Sequence, residues 1–386
     1  MKGFTNSLVY LNGGFYKKAV GIEDGKIAYI GDDYSVVTEN LDNSGCESYL
    51  VPGFIDEHIH GAGGSDAMDG TEKALKTISD TLVKEGTTSF LFTTMTASPE
   101  KTKASLAAAS EFIGKYNKQK EKGMVTGARP LGVHLEGPFV NPLKCGAQPE
   151  EFILEPKICY LKDFFVKDGL VKMITVAPEL ADDGFIQYLK DKGITVSAGH
   201  TNATFEEFSA SVKEGVSCTT HTYNAMRAFT HRETGVIGGA FLTNIYNELI
   251  ADGIHVSYPA IRILFGMKSD KVILITDAMR AKGLSDGESE LGGQKVFVKN
   301  GEARLSDGTL AGSVLKMNVA IKNLVLKAGV PLETVIKSAT ENPAKNLKIF
   351  ENTGSIEIGK NADLTLLSKN FDVLSVMIGG KNVYKA

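Results

Sequence analysis

Between positions 54 and 277 the chain repeats one pattern: a short run of apolar and β-branched residues that, in seven of eight cases, closes on a polar side chain. The runs cover 54–60, 87–93, 131–136, 171–177, 194–200, 216–221, 249–255 and 272–277. Apolar runs of this length, bounded by turn residues, read as buried strands. The segments between them carry helix signals. Thr204 and Glu207 stand at capping-box spacing ahead of a helix that ends near Glu214. Residues 74–85 stop at Gly86, the glycine expected just past a helix end. Pro331 fits the first turn of a helix over 332–340. Strands alternating with helices predict a parallel sheet built from βαβ units. Eight such units predict an α/β fold, a (β/α)8 TIM-type barrel, with its chemistry at the C-terminal ends of the strands.

The two ends of the chain have a different texture. Short strand-like pieces alternate with turn signals such as Leu11-Asn-Gly-Gly, Glu23-Asp-Gly-Lys and Gly379-Gly-Lys-Asn. This pattern predicts one small β-sandwich domain composed of residues 1–51 and 350–386, beside a barrel spanning 52–349. Within the barrel, 286–307 reads as an inserted hairpin turning at Asn300-Gly301.

Composition narrows the partners. With 42% hydrophobic and 23% charged residues, the 386-residue chain has the make-up of a soluble globular protein. A formal net charge of −4 gives no electrostatic reason to expect a nucleic acid or a membrane surface as partner. No apolar run is long enough to span a bilayer, and the N-terminus lacks the apolar stretch of a secretory signal. Cys46, Cys145, Cys159 and Cys218 show no metal-binding spacing and suit a reducing, cytoplasmic location.

The candidate chemistry lies at the ends of the runs. His58 and His60 are two apart on a strand, so they share a face and can aim both imidazoles at one point, as a metal ion requires. Glu136 closes the third run, followed by Gly-Pro, and His200, His221 and Asp277 close the fifth, sixth and eighth. Such a mixed nitrogen and oxygen donor set suits zinc or iron alike. His134 lies two residues before Glu136 on the same face and reads equally well as a support for the ligands or as core packing.

Longer motifs then carry a resemblance. They begin with Pro52-Gly-Phe-Ile-Asp-Glu-His-Ile-His-Gly, His134-Leu-Glu-Gly-Pro-Phe, Ala198-Gly-His-Thr-Asn-Ala and His221-Thr-Tyr-Asn-Ala-Met. His231-Arg-Glu-Thr-Gly, Asp252-Gly-Ile-His, Thr276-Asp-Ala-Met and Leu310-Ala-Gly-Ser follow in order. Together they resemble the amidohydrolase superfamily and, within it, the N-acetylglucosamine-6-phosphate deacetylases. The resemblance implies hydrolysis of an acetamide on an amino-sugar phosphate, with one or two divalent ions, zinc or iron, per subunit. Glu136, His200 and His221 would hold the principal ion. His58 and His60 would complete a second site, with Glu136 bridging and Asp277 nearby as general base and then acid. Asn224, the backbone at Ala225, Arg232 and His255 would grip the phosphate, Arg232 reaching into the neighbouring subunit of a homodimer. Ala147, Gln148, Leu310, Ala311 and Gly312 would contact sugar and acetamide.

Gln148 departs from the family pattern, since many relatives carry a histidine there that polarises the acetamide carbonyl. A glutamine donates a neutral hydrogen bond but carries no charge, so a second ion would take over that task. Three competing readings share parts of the pattern. They are a deacetylase for N-acetylgalactosamine 6-phosphate, a hydrolase of a cyclic amide or nucleobase, and a non-catalytic metal-binding sensor of the sugar phosphate.

Overall fold

The computed structural model describes residues 1–42, 47–161 and 168–386; Cys46 lies outside the described residues. Eight parallel strands form one sheet in chain order: Phe54–Ile59, Thr87–Thr94, Arg129–Glu136, Val171–Val176, Thr195–Ala198, Val216–Thr219, Tyr246–Ile250 and Val272–Ile275. Consecutive strands pair throughout, as right-handed βαβ units demand. The ring closes between the last strand and the first. There Asp277 N–H donates to the His58 carbonyl at 2.9 Å, and the Thr276 hydroxyl donates to the buried carboxylate of Asp56 at 2.6 Å. The expected (β/α)8 barrel therefore forms.

The seventh strand departs from the expectation of 249–255. It runs Tyr246–Ile250, because Asp252 ends the apolar stretch in a turn, its Oδ1 accepting the N–H groups of Ile254 and His255, each at 2.8 Å. The strand's own polar pair, Asn247 and Glu248, disguised it in the sequence, yet both side chains are fully buried.

The helix signals act as read, with small shifts. Thr204 and Glu207 make both bonds of a capping box at the head of Phe205–Glu214. Glu72–Leu82 continues as a 3-10 turn to Glu85 and stops at Gly86, whose φ is +88°. Pro331 is the N-cap of Leu332–Ala339 and not a residue of its first turn. The inserted hairpin becomes a three-stranded antiparallel sheet, Gly287–Leu291, Gln294–Lys299 and Glu302–Leu305. It turns at Asn300 and Gly301, both with positive φ as a tight two-residue turn requires. Leu291, Val296 and Ala303 pack with Met95, Met279 and Ala311 against the barrel mouth.

Both ends of the chain join in a second β unit. A six-stranded sheet sets three C-terminal strands, Lys381–Lys385, Val373–Ile378 and Leu364–Ser368, beside three N-terminal ones, Ser48–Pro52, Leu8–Leu11 and Gly14–Lys17. A four-stranded sheet of Lys26–Gly31, Ala19–Glu23, Lys2–Phe4 and Glu39–Asn40 completes it. The apolar layer includes Phe4, Val20, Ile22, Leu50, Leu364 and Met377. Cys145, Cys159 and Cys218 are free thiols, and no helix among the described residues is long and apolar enough to cross a membrane.

One ion pair ties this unit to the barrel. At the start of the third barrel strand Arg129 makes two parallel bonds of 3.0 Å to Asp363, with the Asp363 side chain fully buried. Asp363 also accepts the Thr353 hydroxyl at 3.0 Å and the Gly379 N–H at 2.8 Å. Removing the guanidinium strands a buried charge, a loss of roughly 3 kcal/mol or more. Arg129→Met should therefore lower the thermal unfolding midpoint clearly. Arg129→Met combined with Asp363→Asn should recover part of that loss; equal midpoints for wild type and Arg129→Met would show the pair to be dispensable.

Candidate metal centre

Three of the expected ligands are set by one local device. His200, His221 and Asp277 each stand two positions past the end of their strands, at Ala198, Thr219 and Ile275. All three adopt left-handed backbone conformations, with φ of +47°, +31° and +46°. Such residues cost roughly 1–3 kcal/mol each and persist only where surrounding bonds dictate them. Asn141 N–H holds the His200 carbonyl at 2.8 Å, Asn224 N–H that of His221 at 3.0 Å, and Ser313 N–H that of Asp277 at 2.8 Å. The strand stops abruptly, and its last functional side chain turns over the barrel axis.

Glu136, the final residue of the third strand, is the point on which the others converge. Its Oε1 lies 3.2 Å from His200 Nε2, 3.0 Å from His221 Nε2 and 3.4 Å from His58 Nε2. Its Oε2 lies 3.1 Å from His60 Nε2. Asp277 Oδ1 faces His60 Nε2 at 3.2 Å and His58 Nε2 at 3.4 Å. The ligand atoms fall into two groups, Glu136 with His200 and His221, and His58 with His60 and Asp277, each within 4.8 Å.

Hydrogen-bond logic shows what these groups fit. His200 Nδ1 lies 2.8 Å from the Lys144 carbonyl, which only accepts, so this nitrogen carries the hydrogen. In the neutral ring Nε2 is then a lone pair, and it points at a carboxylate oxygen and at His221 Nε2, 3.1 Å away. His58 repeats the arrangement: Nδ1 donates to Glu248 Oε2 at 3.0 Å, leaving Nε2 toward Glu136 and Asp277. Lone pairs facing carboxylates require a cation between them, and this mixed donor set suits a divalent metal ion.

The electrostatics agree. Burial works against a charge on His58, but Glu136, Asp277 and Glu248 outweigh it and raise its pKa well above the ordinary value. Burial likewise opposes protonation of His60, yet Asp277 and Glu136 lift its pKa to about 10. Against burial, His58 and the other imidazoles hold Glu136 well below the usual carboxylate range, and His58 and His60 hold Asp277 at about 2. The centre calls for positive charge, which a divalent ion supplies without protonating its ligands.

These residues floor a cavity of about 340 Å³, a size usual for small-molecule sites. His60, Glu136, His200, His221 and Asp277 reach it, while His58 lies behind them, fully buried. Asn224, Ala225 and His255 line the wall, as do Ala147, Gln148, Leu310 and Gly312. His255 is oriented by Asp252, with Nδ1 to Oδ2 at 2.6 Å. Burial opposes a charge on that ring, but Asp252 outweighs it and raises the pKa.

One expected contact falls elsewhere. Ala311 packs in the buried cluster with Met279 and Leu291 and stays off the cavity wall. Arg232 is exposed on the loop after His221 and does not line its own chain's cavity.

Gln148 is more tightly engaged than its sequence context indicated. Its Oε1 accepts Thr96 N–H at 2.8 Å, which fixes the amide orientation and directs Nε2 to Glu136 Oε2 at 2.9 Å. His134 stacks edge-on to His58 at 4.7 Å and bonds Thr175 at 2.7 Å. Burial and then His58 hold its pKa well below the ordinary value, so it supports the centre as a neutral ring. Glu248, behind His58, was missed altogether; its one signal in sequence was a carboxylate inside an apolar run.

Comparison with known proteins follows the geometry. Residues 49–383 match the model of the Amidohydrolase family. N-acetylglucosamine-6-phosphate deacetylase of Bacillus subtilis is 43% identical over 94% of this chain and 91% of its own length. N-acetylgalactosamine-6-phosphate deacetylase of Escherichia coli O157:H7 is 33% identical over 93% of both chains. The crystal structure of N-acetylglucosamine-6-phosphate deacetylase from Pasteurella multocida superposes over 100% of both chains with a TM-score of 0.92 at 32% identity. The chain belongs to the amidohydrolase family and, within it, to the group that contains the N-acetylglucosamine-6-phosphate deacetylases.

Proposed function

We propose that this chain removes the acetyl group from N-acetylglucosamine 6-phosphate, giving glucosamine 6-phosphate and acetate. The observation that carries this reading is the convergence of two three-residue donor groups on Glu136 at the floor of a cavity walled by Asn224 and His255. Glu136, His200 and His221 would hold one ion, and His58 and His60, with Glu136 bridging and Asp277 alongside, a second. Zinc or iron held there would supply Lewis acidity, which makes a hydroxide nucleophile of water near neutral pH.

The chain's own groups do the rest. Asp277, ionised at neutral pH, accepts a proton from the attacking water. It delivers a proton to the sugar nitrogen as the bond from nitrogen to the acetyl carbon breaks, so acetate and a free amine leave. Gln148 steadies the bridging carboxylate on the acetamide side. His255, its protonated form favoured by the bond to Asp252, and the amide groups at Asn224 and Ala225 meet the phosphate. Arg232, off the wall of its own cavity, serves the neighbouring subunit, so the working unit is a homodimer. We assign residues 52–349 to the catalytic barrel and 1–51 with 350–386 to the small β unit. The free thiols fit a reducing cytoplasm.

Acetate release from N-acetylglucosamine 6-phosphate should be fast on protein of counted metal content and lost on chelation. It should exceed release from the 4-epimer and from the unphosphorylated sugar; no release from any of the three would discard the assignment. Asp277→Asn should keep metal and lose about 10²- to 10⁴-fold in kcat, and a kcat near wild type would remove Asp277 from the proton transfer. Arg232→Ala should raise KM for the phosphate ester and leave the unphosphorylated sugar unaffected. Mixing inactive Asp277→Asn with Arg232→Ala should restore activity through hybrid dimers. If mixing restores none, Arg232 does not act across the interface.

A further inference from the structure

Glu248 has no part in the proposed reaction. It projects from the seventh strand into the barrel below the donor cluster and is fully buried. Among the described residues no lysine or arginine pairs with it; its ion-pair partner is His58, at 3.0 Å. A buried carboxylate is costly unless hydrogen bonds or a charge answer it. Here one oxygen takes the whole answer. Glu248 Oε2 accepts His58 Nδ1–H at 3.0 Å and the backbone N–H of His221 at 3.1 Å. The other oxygen, Oε1, has no hydrogen-bond partner.

The two donors belong to different donor groups. His58 sits with His60 and Asp277, and His221 with Glu136 and His200. The Glu248 backbone adds to the same anchorage, its carbonyl accepting Thr222 N–H at 2.9 Å. The left-handed turn at His221 is thus held from below as well as by Asn224. The ring of His58 is held harder still. With Nδ1–H committed to Glu248, the free lone pair at Nε2 and the ring plane are both fixed before an ion arrives. A carboxylate on the far nitrogen also makes the ligating nitrogen more basic.

We propose that Glu248 is the positioning residue of this centre, setting the tautomer and orientation of His58 and so the affinity of the second ion. His221 depends on it less, because Asn224 anchors that residue independently. The inference rests on the proposed two-ion centre and goes beyond it, since no ligand role is given to Glu248 itself.

The test is zinc binding by the full chain, with zinc alone as probe. Ions per chain and their affinities are measured against a competing chelator, alongside thermal midpoints of the metal-free proteins. Wild type should bind two zinc ions; a single ion in wild type would sink the two-ion reading and, with it, this role of Glu248. Glu248→Ala should weaken the second ion about 10- to 100-fold, the usual range for a lost partner of a ligating histidine, and the first ion distinctly less. If Glu248→Ala does not fold, Glu248→Met fills the space without an acceptor and should show the same selective loss. Glu248→Gln keeps an oxygen that both N–H groups can reach, and should hold the second ion within about tenfold of wild type, by the same scale. Wild-type affinity for both ions in the Ala or Met variant overturns the proposal. So does equal weakening of both ions, or a Gln variant as impaired as Ala.

Discussion

Everything at the mouth of this barrel is arranged around one buried carboxylate. Glu136 is 2% exposed, and its two oxygens face four imidazoles drawn from the first, fifth and sixth strands. Coulomb attraction in such a low-dielectric site is strong, but so is the penalty for burying the charge. The chain meets that penalty by spending backbone conformational energy elsewhere. Left-handed residues past three strands swing His200, His221 and Asp277 inward, and backbone bonds from Asn141, Asn224 and Ser313 keep them there. The closed ring of strands supplies the rigidity, because each ligand hangs from a strand clamped on both sides.

A second layer decides which way each ring faces. His200 is keyed by the Lys144 carbonyl, His58 by Glu248, His255 by Asp252, and Glu136 by Gln148. Donors that look alike in sequence therefore become distinct. His58 and His200 turn Nε2 toward the candidate metal centre, His134 is a neutral brace, and His255 stands at the cavity wall with its protonated form favoured by Asp252.

Much of this was legible in the sequence. Seven of the eight strands, the joining of the termini, the Asn300-Gly301 turn and the capping box at Thr204 all follow from periodicity and turn chemistry acting locally. The candidate ligands were visible because they stand at the ends of apolar runs. What escaped has a common cause. The seventh strand was misplaced because Asn247 and Glu248 interrupt its apolar pattern, and their burial is made possible only by partners distant in sequence, Thr219 and His58. Ala311 sits inside a motif, but its backbone pairs with Ala303, which turns its methyl into the hairpin core. The engagement of Gln148 depends on Thr96, which no local pattern connects to it.

The loop between the third and fourth strands serves two masters. Its Lys144 carbonyl holds the imidazole of His200, and four residues later Gln148 holds the carboxylate of Glu136, while Ala147 between them lines the cavity. The wall of the cavity and the scaffold that orients the candidate ligands are thus the same few residues. A loop of this kind is not a free module. Any sequence drift or redesign that reshapes this stretch of the cavity wall also turns His200 and Glu136, so the shape of the pocket and the geometry of the donor cluster must evolve together here.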